Sequence, residues 1–141
     1  MSRVLIASIT QLCVADHAGD PETIAAWTAN KTEQGVRQML ATPGTEMLVA
    51  ERLDQLVAVG ALNGDAVTLN YVDPAHRRTG VSRLLLAALE QSLVVRGVRM
   101  GRLKSTATAR DFYRSQGWIE DPPPPKGRFI AAHSMHKVLL V

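Results

Sequence analysis

Cysteine occurs once among the 141 residues, at Cys13, so the chain cannot form an internal disulfide. A lone cysteine points to a reducing, cytoplasmic setting. With no base or basic cluster in its sequence neighbourhood, Cys13 reads as a small buried apolar residue and not as a nucleophile. Aromatic residues are scarce, at 4%. No helix-turn-helix, stacking platform or zinc spacing accompanies them, which disfavours a nucleic-acid-binding module. No apolar run reaches the about 18 residues that a membrane span needs. The N-terminal "MSRVLIASITQL" lacks the small-residue cleavage site of a signal peptide and reads as a first strand.

Acidic residues are missing from one region in particular. From His76 to Lys104 the chain carries Arg77, Arg78, Arg83, Arg96, Arg99, Arg102 and Lys104 against the single acid Glu90. The preceding segment leans the other way, with Asp16, Asp20, Glu22, Glu33, Glu46, Glu51, Asp54, Asp65 and Asp73. This asymmetry suggests an anionic ligand near the middle of the chain, or else a solvated basic face.

The length suits one domain, residues 1–141, and a hydrophobic content of 46% supplies its core without metal or disulfides. Strand Arg3–Ile9 is followed by two helices, one capped by Asp20 before Pro21 and one by Thr32. "TEMLVAERL", "QLVAVGALN" and "AVTLNYV" are extended runs joined by turns near Asp54 and at Gly64–Asp65, a three-strand antiparallel meander. The period then becomes helical: Val81, Leu84, Leu85, Ala88 and Leu89 share a face up to a stop at Gly97. "VRMGRLK" is a strand, "TARDFYRSQ" a short helix closed by Gly117, and Trp118 and Ile119 begin another strand. A stiff Pro122 to Pro125 connection and a loop to Gly127 lead to a closing strand, "AAHSMHKVLL". This order describes an α/β sandwich around a mixed sheet.

The chemistry concentrates where the meander meets the long helix, at "YVDPAHRRTGVSRLLLAALE". A helix starting at Gly80 offers unpaired N–H groups and the positive end of its dipole, with Arg77 and Arg78 beside it. That is either a phosphate-binding geometry or a plain helix start. It is neither a Walker A loop nor a dinucleotide fingerprint.

"VDPAHRRTGVSRLL" resembles the acetyl-coenzyme A signature of the GNAT superfamily of N-acetyltransferases: Arg/Gln-x-x-Gly-x-Gly/Ala after a Val-x-Pro turn and before a Leu-rich helix. "ARDFYRSQGW", about thirty residues on, resembles the family's second motif, and "MHKVL" its usual last strand. The resemblance covers most of the chain from Glu46 onward. It implies a mixed, mostly antiparallel sheet of about seven strands with about four helices, splayed between the fourth and fifth strands. It implies acetyl-coenzyme A as co-substrate, an amine acceptor, and no metal. Pairing of such domains through sheet edges leaves a homodimer open.

By the same resemblance the backbone of Arg78, Thr79, Gly80, Val81, Ser82 and Arg83 cradles the pyrophosphate, with Arg77 assisting. Asn70, Tyr71 and Val72 pair with the pantetheine arm through their main chain, and an N–H near Val72 polarises the thioester. Thr106, Ala109 and Phe112 complete the coenzyme site. Tyr113 stands where a hydroxyl protonates the departing sulfur. Two departures matter. Ser82 replaces the usual Gly/Ala, and no acid stands on either splayed strand where relatives often carry a glutamate. His133 is the best titratable candidate for the missing base, against a structural histidine. His133 and His136 point to opposite strand faces and form no metal pair, and His17 and His76 read as solvent-facing loop residues. Acidic residues Asp20, Glu22 and Glu33 on the first two helices hint at a cationic acceptor.

Overall fold

Ser2–Leu12 is a helix, α1, and not the expected first strand. Its Val and Ile residues favour a strand by local preference, but burial falls on Val4, Leu5, Ser8 and Ile9 while Ile6 stays exposed. That is a helical stripe, and packing against the sheet overrides the propensity. The computed structural model describes residues 1–122 and 133–139. A short helix α2 (Val14–His17) follows, then α3 (Pro21–Thr28) and α4 (Glu33–Ala41). As expected, Asp20 and Thr32 cap the last two, accepting from the N–H groups of Thr23 and Gly35.

The meander is β1 (Thr45–Arg52), β2 (Gln55–Asn63) and β3 (Ala66–Val72). A 3-10 turn (Pro74–His76) leads to α5 (Val81–Val95), then β4 (Met100–Ser105), α6 (Arg110–Ser115), β5 (Ile119–Glu120) and β6 (His133–Val138). One mixed sheet runs in the order β1-β2-β3-β4-β6-β5, with only β3 and β4 parallel. Among the described residues it holds six strands, not about seven, because the N-terminal segment is helical, and the α-helices number six, not about four. Beyond Pro122, the expected Pro122 to Pro125 connection, the loop to Gly127 and the start of the expected closing strand lie outside the described residues. No helix is long and apolar enough to cross a membrane among the described residues.

Strand β2 alternates between two cores. Ala58 and Leu62 face α5 with Leu86, Leu89, Leu93, Trp118 and Met135, whereas Val59 and Ala61 face α1 and α4 with Val4, Leu5 and Val36. Gly60 lies under α5, where an added Cβ would stand 2.9 Å from Leu89 Cδ1. Strand β3 breaks its own alternation. Val67 pairs with Leu62 and Leu69 with Ala61, leaving Thr68 unopposed in a bulge. Val67 and Leu69, two residues apart, therefore sit in opposite cores. The parallel ladder to β4 ends at the same place, after Ala66↔Arg102 and Val67↔Leu103. This is the expected splay, falling between the third and fourth strands.

The buried stripe of α5 is Leu85, Leu86, Leu89 and Leu93, rotated from the expected one: Leu84 is 72% exposed and Ala88 faces solvent. The helix stops in a Schellman motif at Gly97 (φ 83°), with Val98 N–H donating to Leu93 O at 3.0 Å. Replacing buried Leu89 by alanine should cost about 2–5 kcal/mol in urea unfolding. Leu84→Ala should change stability by no more than about 0.5 kcal/mol, and equal losses would contradict the rotated stripe.

Candidate active site

Where β3 and β4 part, a cleft of about 430 Å³ opens between β3, the start of α5, the β4–α6 segment and the end of α1. Asp73 N–H donates to Val57 O at 2.7 Å. Because the bonding direction alternates along an antiparallel strand, Tyr71 also turns its main chain toward β2, while Asn70 and Val72 turn theirs toward the cleft. The bulge thus leaves a free strand edge inside the molecule.

At one end lies the arginine corner. Asp73 is buried; its carboxylate accepts from Ala75 N–H at 3.0 Å and from Arg3 Nη1 at 2.8 Å, which fastens the turn to α1. Arg78 (φ 62°) and Gly80 (φ 87°) are both left-handed, the backbone habit in which successive N–H groups face one concavity. A Cβ on Gly80 would meet nothing within 4 Å, so glycine is needed there for its dihedral angle and not for room. No side chain caps α5, whose first-turn N–H groups stay available. Arg77, Arg78, Gly80, Ser82 and Arg83 all line the cleft.

At the other end α6 delivers Tyr113. Gly117 (φ 92°) closes this helix with a second Schellman motif, in which Trp118 N–H donates to Tyr113 O at 3.0 Å. The residue before and the residue after this chain reversal touch, Trp118 meeting Tyr113 edge-on with ring centroids 6.1 Å apart. The tyrosine is 6% exposed, and Asn70 Nδ2 donates to its hydroxyl at 3.1 Å. That bond occupies an acceptor site on the phenol oxygen and leaves the O–H to donate into the cleft. Burial pushes the Tyr113 pKa up to about 12, against the pull of the Asn70 bond.

Helix α1 and Cys13 form the remaining wall with Ser8 and Leu12. Cys13 is buried as expected; desolvation, then the charge of Asp16, pushes its thiol up to about 12. Tyr71 is raised to about 12, mainly by burial, although a hydrogen bond from the Trp27 indole pulls it down. Asp16, which the sequence did not single out, ties α2 to the β4–α6 segment. Its Oδ1 accepts from Ala107 N–H at 2.7 Å, and its Oδ2 from Thr108 N–H at 3.1 Å and Thr108 Oγ1 at 2.6 Å.

Of the residues expected to hold the coenzyme, Asn70, Tyr71, Val72, Arg77, Arg78, Gly80, Ser82, Arg83, Thr106, Ala109, Phe112 and Tyr113 come together on this cleft. Thr79 and Val81 do not line it: Thr79 Oγ1 donates to His76 O at 2.6 Å, and Val81 packs into the core. His133 is not brought to the cleft either; it lies against Glu120, 2.9 Å away. His17 is not solvent-facing but buried at 3% exposure, its Nε2–H donating to Ile9 O and its Nδ1 accepting from Gly19 N–H. His76 is half-buried in the 3-10 turn. Asp20, Glu22 and Glu33 are exposed at the start of α3 and on α3 and α4, outside the lining of this cleft. No group of three potential metal ligands occurs among the described residues.

Residues 13–139 match the family model of the acetyltransferase (GNAT) domain. No curated protein matches the chain. Among solved structures, the chain is similar to a GCN5-related N-acetyltransferase from Rhodopseudomonas palustris (TM-score 0.81, 23% identity, 97% of this chain and 86% of the other). It is also similar to the PaiA N-acetyltransferase from Thermoplasma acidophilum in complex with coenzyme A (0.77, 16%, 97% and 92%). A ribosomal-protein-alanine N-acetyltransferase from Brucella melitensis shares the fold as well (0.67, 23%, 97% and 93%).

The Asp73 brace carries a pH signature. Its hydrogen bonds from Ala75 and then Arg3 hold the carboxyl below its usual range, so its contribution is present above the unfolded pKa near about 3.9 and fades as pH falls through the lower folded value. Thermal melts of Asp73→Asn should show lower stability at pH 7 and a shallower acid decline than the parent. An unchanged decline below pH about 4 would remove Asp73 from the acid response.

Proposed function

The chain belongs to the GNAT acetyltransferase family, and from that premise we propose that it transfers the acetyl group of acetyl-coenzyme A to a primary amine by direct attack in a ternary complex. The observation that carries this reading is the continuity of one cleft. A free strand edge, an uncapped helix start flanked by arginines, and a buried tyrosine hydroxyl open onto the same space.

The residues present fit the coenzyme. The left-handed turn at Arg78 and Gly80 and the open space above Gly80 suit a close approach by phosphate. The free main-chain groups of Asn70 and Val72 suit an amide-bearing arm laid along β3 as an added strand. When bound, acetyl-coenzyme A supplies the activated thioester. The α5 N-terminus with Arg77, Arg78 and Arg83 then neutralises the pyrophosphate, and the Ser82 hydroxyl adds a donor where a smaller residue is usual. The Val72 N–H polarises the acyl carbonyl. Tyr113, kept protonated by burial, donates a hydrogen bond to the leaving sulfur, and Asn70 holds the ring oxygen in place.

Coenzyme binding without turnover is the second reading, and one observation favours it: no carboxylate lines the cleft among the described residues. Titration of acetyl-coenzyme A by calorimetry, followed by a thiol-release assay with amines, separates the two. Tyr113→Phe should lower kcat on the order of 10²-fold with nearly unchanged coenzyme affinity. Full activity in that variant would remove the hydroxyl from the mechanism, and absence of binding to the parent protein would remove the coenzyme site.

A further inference from the structure

We infer that Asp16 is a positioning residue that sets the width of the cleft at its acyl end, and thereby the length of acyl chain that the coenzyme can bring. The inference rests on the coenzyme-binding part of the function proposed above. It concerns how two strands without a common ladder are kept at a fixed distance.

Beyond Val67↔Leu103 strands β3 and β4 share no ladder, so their ends are held by other means. The N-terminal helices supply them. At the end of β3, Asp73 accepts from Arg3 Nη1 of α1 at 2.8 Å. Past the end of β4, Ala107 N–H donates to Asp16 Oδ1 of α2 at 2.7 Å, and Thr108 donates its N–H and its hydroxyl to Oδ2 at 3.1 and 2.6 Å. Between these two ties α1 lays Ser8, Leu12 and Cys13 along the cleft. Helices α1 and α2 thus bracket the splay, with one carboxylate at each strand end.

The two ties govern different ends of the opening. Asp73 stands in the turn that leads to the arginines, whereas Asp16 holds the segment immediately ahead of α6, and with it the wall that carries Ala109, Phe112 and Tyr113. Hydrogen bonds to a carboxylate are about twice as strong as neutral ones, and three meet here. The corner that presents the carboxylate is itself fixed. Asp16 N–H donates to Cys13 O at 2.9 Å, and buried His17 bonds Ile9 O and Gly19 N–H. The charge of Asp16 also reaches Cys13 and Tyr71, adding to the burial that pushes both up to about 12.

An acyl group delivered beside Tyr113 therefore lies between Leu12 and Cys13 on one side and Ala109 and Phe112 on the other, at a separation that Asp16 holds. Added methylenes must fit a gap whose walls cannot part. Releasing the tie lets the α6 wall yield, and a longer chain gains room.

The test uses the whole chain and needs no acceptor. Coenzyme A, acetyl-coenzyme A and butyryl-coenzyme A are titrated by calorimetry, with thermal melts in parallel. The parent should bind the acetyl form more tightly than the butyryl form on the order of 10-fold. Asp16→Ala should shrink that preference to within about threefold, with little change in affinity for coenzyme A itself. Asp16→Asn keeps the size and one acceptor oxygen but turns an N–H toward a donor, so an intermediate ratio is expected; this variant decides the matter where Asp16→Ala does not fold. Arg3→Ala, which releases the opposite tie, should keep the parent's ratio. A parent-like ratio in both Asp16 variants, whatever their melting temperatures, leaves Asp16 a structural tie and overturns the inference. An equal shift in Arg3→Ala, or no discrimination by the parent, overturns it too. Failure of the parent to bind any of the three overturns the coenzyme reading on which it rests.

Discussion

One unpaired residue, Thr68, sets the terms for the rest of the molecule. An extra residue in β3 reverses which side chains face which core, and it re-aims the strand. Upstream of it Val67 still pairs with Leu103 of β4; downstream the two strands share no ladder. The sheet forgoes several backbone hydrogen bonds worth about 0.5–1.5 kcal/mol each. It tolerates this because β4 is held from its other side by β6 along six consecutive residue pairs, Met100↔Val138 to Ser105↔His133. Without the reversal Asn70 would face α1 and could not reach Tyr113. The opening and the hydrogen bond within it thus share one cause.

Helix termination does the remaining work of construction. At the arginine corner, an uncapped helix start is preceded by two left-handed residues and braced by Asp73 and Arg3. At the tyrosine, a helix end at Gly117 fixes the Tyr113 carbonyl and sets Trp118 edge-on against its ring. The Gly-Trp pair that follows the short helix is therefore part of how the hydroxyl is aimed. Both sites use groups that regular secondary structure leaves over, and both need a glycine only for a positive φ.

Much of this was legible in sequence because turn chemistry is local. Asp20, Thr32, Gly97 and Gly117 announced their ends, and the meander follows from alternation bounded by polar turns. The arginine corner and the tyrosine were legible through motifs whose order matches the cleft. What was not legible depends on partners far along the chain. The first segment reads as a strand from its Val and Ile content, and only the surfaces of β2 and β3 make it a helix. Leu84 is as apolar as Leu85, so a one-residue rotation of the α5 stripe leaves no local trace. His17 looks like a loop residue until Ile9 and Gly19 take both its ring nitrogens. Asp16 gives no signal at all, because its partners lie 91 and 92 residues away.

The charge asymmetry of the sequence acquires a different meaning in three dimensions. The acidic N-terminal half suggested an attraction for cations, yet three of its carboxylates serve as a cap, a brace and a tie. Asp20 caps α3, Asp73 anchors the turn to α1, and Asp16 joins α2 to the β4–α6 segment. The basic middle, by contrast, delivers three arginines to one end of a cleft whose other wall, with Cys13 and Tyr71, feels the charge of Asp16. Such an arrangement draws its long-range attraction toward an anionic ligand, with the positive charge concentrated at one end of the opening.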